Sequence, residues 1–116
     1  MAGRITEAFA LVVRFELLEG QEPDFDGLVA ETLDGIRAHE PGTLAYIVHR
    51  EPSAPAARIF YELYRSVDAF EEHERQPHVR HFLSERTQYL AADPLVWRLK
   101  ATAPVADSDL DDLSGS

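Results

Sequence analysis

From Glu7 to Glu16 the residues Phe9, Leu11, Val13 and Phe15 occupy one parity, and Ala8, Ala10, Val12, Arg14 and Glu16 the other. A period of two with one strongly apolar set predicts a strand. The second set stays small and apolar as far as Arg14, which predicts partial cover by another subunit or a ligand. Beyond Gly20, available for a turn, the period lengthens. Phe25, Leu28, Val29, Thr32, Leu33 and Ile36 fall on one helical face between Pro23 and about His39. Pro23 suits a first helical turn, and Asp24 and Asp26 suit its positive end. Glu40-Pro41-Gly42 ends the helix.

The period of two then returns twice. Leu44, Tyr46 and Val48 alternate with Ala45, Ile47 and His49 between Thr43 and Arg50. After a turn over Glu51 to Pro55, Ile59, Tyr61 and Leu63 alternate with Phe60, Glu62 and Tyr64 between Arg58 and Arg65. Strands joined this closely form an antiparallel hairpin. Ser66 is placed to cap a helix that buries Val67 and Phe70. Pro77 interrupts it, and a further helix follows with Val79, Phe82, Leu83 and Leu90 as its apolar face. Leu95 to Lys100 form the last strand, with Leu95, Trp97 and Leu99 on one side.

This order, β-α-β-β-α-β, predicts an α+β, ferredoxin-like fold with one antiparallel sheet and helices on one face. We expect the side bearing Phe60, Glu62 and Tyr64 to lie away from the helices. A second copy of the sheet would cover it, giving a homodimer that closes as a dimeric α+β barrel. One domain is expected over residues 1–103, followed by a disordered acidic tail over 104–116.

Charge and composition remove several function classes. The formal net charge is −10, and Asp107, Asp109, Asp111 and Asp112 account for four of those charges, which leaves about −6 on the folded part. Such a surface repels phosphate backbones and anionic lipid, so neither nucleic acid nor membrane is an expected partner. With no cysteine, thiolate metal sites, disulfides and cysteine nucleophiles are excluded. No stretch approaches the roughly 20 apolar residues needed to span a bilayer. The polar N-terminus lacks a secretory pattern, and a cytoplasmic protein is expected. No Gly-rich phosphate loop and no Gly-x-Ser-x-Gly elbow occur.

Glu40-Pro41-Gly42-Thr43-Leu44-Ala45-Tyr46, the run from Tyr61 through Glu62, Tyr64, Ser66 and Phe70 to His73, and Gln76-Pro77-His78 together resemble the antibiotic biosynthesis monooxygenase (ABM-like) family, including its quinol monooxygenases. The resemblance extends from about Phe9 to Ala101. It implies a dimeric ferredoxin-like barrel that oxidises a small aromatic quinol or a polycyclic phenol with O2, using no cofactor, neither metal nor flavin. It also implies that His73 and His78 are the family's histidines. A haem-degrading branch exists, but the chain contains no asparagine for that branch's first-strand position, and Leu83 stands where its haem-binding histidine would fall. Tyr64 replaces the family's third-strand tryptophan.

The candidate catalytic residues are therefore His73, Glu62 and His78. Glu62, flanked by Phe60 and Tyr64, suits a carboxylate whose pKa is raised enough to accept a phenolic proton; an ion pair with Arg14, Arg65 or Arg98 is the alternative. Histidines flanking a helix break can act as base or donor, or can cap the helix ends. Tyr64, Trp97 and Tyr46 are candidates for stacking on an aromatic substrate, and Arg14 and Arg98 for stabilising its anion. His78, His81 and Glu85 share a helix face at metal-ligand spacing, yet no metal is expected. The pocket is expected between sheet and helices. A non-catalytic small-ligand-binding barrel is the competing reading.

Overall fold

Alternation at the start of the chain becomes strand β1 (Phe9–Glu16) in the computed structural model, which describes residues 7–103; the expected acidic tail lies outside them. Gly20, at φ +82° in the following turn, takes the left-handed conformation that a Cβ would disfavour. Helix α1 (Glu22–His39) begins with Pro23 in its first turn. Strands β2 (Thr43–Glu51) and β3 (Ala54–Tyr64) follow. The turn between them shrinks to Pro52-Ser53, because β3 starts four residues before the expected Arg58. Its early part is held by pairing of Ala57 with Glu16, and Pro55 sits next to an irregularity in the β2–β3 ladder, where a missing N–H is tolerated.

Helix α2 (Val67–Arg75) is capped as expected, the Ser66 hydroxyl accepting from the Ala69 amide at 3.2 Å. Gln76 is extended, as the residue before a proline must be, and α3 (Pro77–Glu85) restarts behind it. A 3-10 turn (Arg86–Tyr89) and strand β4 (Leu95–Lys100) complete the described chain. The four strands lie in the order β2-β3-β1-β4, all neighbours antiparallel. This is the ferredoxin-like arrangement.

One expectation about the faces is corrected. Phe60, Glu62 and Tyr64 lie beneath the helices, and the open side carries Ile59, Tyr61 and Leu63. Register gives the reason: Leu11 pairs with Glu62 and Val13 with Phe60, so the strongly apolar set of β1 and the Glu62 set of β3 share one face. Phe15, Phe25, Phe60 and Tyr64 are the largest fully buried side chains there. Phe15 meets Phe60 edge-on at 4.7 Å, and Phe82 from α3 completes the cluster. Leu83, expected on the apolar face of α3, is exposed, and Leu90 falls beyond the helix.

Arg58 ties the sheet to α1. Its Nε and Nη2 donate to the two carboxylate oxygens of Asp26 at 2.9 and 3.0 Å, and its Nη1 donates to the carbonyls of Pro55 and Ala57. A buried guanidinium is stable only when its donors are matched in this way.

Candidate functional site

Between the sheet and α2–α3 lies a cavity of about 130 Å³, lined among others by Tyr46, Glu62, His73, Phe82, Arg86 and Arg98. Each arrives by a different route. Glu62 and Tyr46 are register partners on β3 and β2; Arg98 pairs with Leu11 on the far side of β1; His73 comes from the last turn of α2 and Arg86 from the end of α3. The lining combines aromatic walls with a few polar groups, as small-ligand sites do.

His73 is held from behind. Its Nδ1 lies 2.6 Å from Oε1 of Glu40, whose other oxygen lies 2.5 Å from Nε2 of His78, and the Thr43 hydroxyl donates to Oε1 at 2.7 Å. An ionised carboxylate only accepts, so His73 carries its proton on Nδ1 and His78 on Nε2. Nε2 is the ring nitrogen of His73 that Glu40 leaves unbonded. Burial by itself raises the Glu40 carboxyl, but donation from His73, Thr43 and His78 outweighs it and holds the group below the ordinary carboxylate range. Gly35 makes room for this: a Cβ there would overlap the base of the His78 side chain.

Glu62 behaves in the opposite sense. The Tyr64 hydroxyl donates to its Oε1 at 2.5 Å, and Tyr46 faces it across the ladder. Burial is nevertheless the larger effect and pushes Glu62 above the ordinary carboxylate range, against the pull of Tyr64, His73 and Tyr46. Burial and then Glu62 itself raise both tyrosines, so each stays a neutral donor. Two buried carboxylates, one kept ionised and one pushed toward its acid form, flank a single histidine. Such divergence marks acid and base roles.

Not every candidate residue joins this site. Glu62, His73, Tyr46 and Arg98 line the cavity. Tyr64 lies behind Glu62, in ring contact with His73 at 5.1 Å, and His78 acts on Glu40. Trp97 and Arg14 sit on the opposite sheet face, where with Val12, Ile59 and Leu99 they line a shallow apolar groove; Arg14 pairs with Glu16 and Glu51. His78 is turned to Glu40, and no three potential ligands converge on a metal among the described residues.

Two residues escaped the sequence reading. An acidic group at a helix C-terminus opposes the helix dipole, and Glu40 stands there at the end of α1; that conflict was its signal. Arg86 follows Val79 and Phe82 at i+7 and i+4, which places it on the buried face of α3.

No helix among the described residues is long and apolar enough to cross a membrane. No curated protein matches the chain. Its fold is similar to that of a Caulobacter crescentus CB15 protein provisionally assigned as an antibiotic biosynthesis monooxygenase, with a TM-score of 0.80 at 20% identity over 86% of this chain and 94% of that one. It is similar also to Rv0793 from Mycobacterium tuberculosis, with a TM-score of 0.77 at 21% identity over 84% and 97%. A conserved protein from Methanosarcina mazei Go1 gives 0.78 at 15% identity over 84% and 96%. These likenesses establish the fold, and the family model described as antibiotic biosynthesis monooxygenase matches residues 8–85. The chain belongs to the antibiotic biosynthesis monooxygenase family.

Proposed function

We propose that the protein is a cofactor-independent monooxygenase that oxidises a small aromatic phenol or quinol with O2, working as a homodimer. The observation that carries this reading is the placement of His73, fixed by Glu40, and of acid-shifted Glu62 on one aromatic-lined cavity. The volume, about 130 Å³, is slightly below the roughly 150 Å³ of an apolar cavity that takes one benzene ring. It therefore favours one-ring substrates over polycyclic phenols.

Nε2 of His73 takes the hydroxyl proton, and the resulting phenolate transfers one electron to O2. Superoxide and the phenoxyl radical combine at a ring carbon that carries hydrogen, and Glu62 in its acid form protonates the peroxide. Glu62 then takes back the proton of that carbon as the O–O bond breaks, and His73 delivers its proton to the departing hydroxide. Phenol plus O2 becomes quinone plus water. All four electrons come from the substrate, so no outside reductant enters. Tyr64 and Glu40 position Glu62 and His73 through hydrogen bonds without touching substrate.

The homodimer is supported by the open sheet face, where Ile47, Leu95, Trp97 and Leu99 are all close to half exposed. Large apolar side chains left exposed across one sheet face point to an interaction site. The experiment is oxygen uptake by the purified, metal-free protein with single-ring phenols and quinols, beside His73→Ala. Protein-dependent uptake that falls at least about a hundredfold in the variant is expected for loss of a general base. Saturable binding with no uptake would favour the binding module instead.

A further inference from the structure

The arginines of this chain are treated unequally. Arg58 satisfies its donors with Asp26 and two carbonyls, Arg14 pairs with Glu16 and Glu51, and Arg37 and Arg75 pair with acids on their own helices. Arg86 is different. It is half-buried, its guanidinium lies over the rings of Phe15 at 5.4 Å and Phe82 at 5.8 Å, and it makes no hydrogen bond or ion pair with any described residue. Glu62, in the same lining, acts on Arg86 only through the field of its charge and makes its hydrogen bond with Tyr64 instead. Arg98, stacked over Phe70 at 5.9 Å, lines the same cavity and is likewise unpaired among the described residues, and no ion pair joins either arginine to Glu74 at the lining.

Partly withdrawing a guanidinium from water without supplying a protein acceptor is costly, and the contact with two rings recovers only about 0.5–2 kcal/mol of it. Burial lowers the Arg86 pKa from its ordinary value, consistent with that cost. Contact with two rings also restrains the guanidinium, and an arginine fork is suited to bidentate carboxylate recognition. We infer that Arg86, assisted by Arg98, forms an oxyanion subsite in this cavity, and that the ligand is a single-ring aromatic carrying a carboxylate besides its hydroxyl. The inference rests on the reading of this cavity as the substrate site. It adds a charge requirement that separates acidic phenols from neutral ones.

The test is calorimetric titration of 4-hydroxybenzoate, 4-hydroxybenzamide and phenol into the full chain, its Arg86→Gln and Arg98→Gln variants, with circular dichroism and melting temperature recorded for each. The acid should bind the parent at least about tenfold more tightly than the amide, in keeping with a desolvated charge-assisted pair. Arg86→Gln should abolish that preference while leaving amide affinity within about twofold; Arg98→Gln, at a more exposed position, should reduce it about two- to threefold. Equal affinity for acid and amide in the parent overturns the inference, as does equal loss of both in a folded Arg86→Gln protein, or no binding of any of the three. Oxygen uptake on the same compounds separates this outcome from the catalytic reading. Preferred binding of the acid without uptake sinks the monooxygenase and keeps the subsite, whereas turnover of phenol with no preference for the acid does the reverse.

Discussion

The carboxylate of Glu40 and the imidazole of His73, 33 residues apart, meet at 2.6 Å, and the same carboxylate reaches His78 on the next helix. One side chain at the end of α1 thus ties α1, α2 and α3 together behind the cavity and sets the proton on His73. Glu40→Gln keeps the shape and removes the charge. Turnover should fall about a hundredfold, within the range for misplacing an acid–base group, with KM little changed.

The same substitution has a pH signature. Because the folded protein holds the Glu40 carboxyl below its ordinary value, its ionisation stabilises the fold above the unfolded pKa, and that contribution is lost as pH falls through the lower folded value. Urea titrations at several pH values should therefore find Glu40→Gln less stable than the parent at pH 7, by about 1–3 kcal/mol for donors left poorly matched, with the gap closing below pH ~4.

Glu62 should give the mirror image. Its folded pKa is raised, so the protonated form is favoured in the fold and stability falls as pH rises from the unfolded pKa through the folded one. Glu62→Gln should thus gain stability relative to the parent as pH increases over that window, while oxygen uptake drops. Equal pH dependence of parent and variant in denaturant titrations would contradict the assignment.

Gly35→Ala tests the support of His78. The new methyl group would overlap a side chain whose far end is already fixed on Glu40, so relaxation must break that contact or shift α1 from α3. A loss of about 1–3 kcal/mol is expected, as for other overpacked sites, and Gly27→Ala, where a Cβ meets nothing within 4 Å, is the control and should be neutral or slightly stabilising.

The open sheet face makes a further prediction. In light scattering the parent should run at twice its 13.0 kDa chain mass, and Trp97→Glu with Leu99→Glu should return it to a single chain by placing charge in the apolar groove. A monomeric parent would contradict the dimer.

Local signals were legible in the sequence. Pro23, Ser66 and Pro77 each mark a helix start, and the structure uses all three as punctuation. Alternation gave the strands, but parity yields two faces without saying which the helices cover. The Glu62 side was expected to be the open one; what decides the matter is the ladder between β1 and β3, together with the tyrosine hydroxyl that makes a buried carboxylate tolerable. For the same reason Trp97 and Arg14 could be named as site candidates by type alone, although register places them on the far face. Glu40 and Arg86 belong to the cavity's machinery through contacts 33 or more residues away or through an i+7 position in a helix. Neither is visible to a pattern read one strand at a time.

Oxygen-isotope labelling tests the central claim most directly. The protein, stripped of metal and given a turned-over single-ring phenol under 18O2 with no added reductant, should place one labelled atom in the quinone and the other in water, consume one O2 per substrate, and release no peroxide. Unlabelled product, or one equivalent of hydrogen peroxide per substrate, would contradict the account.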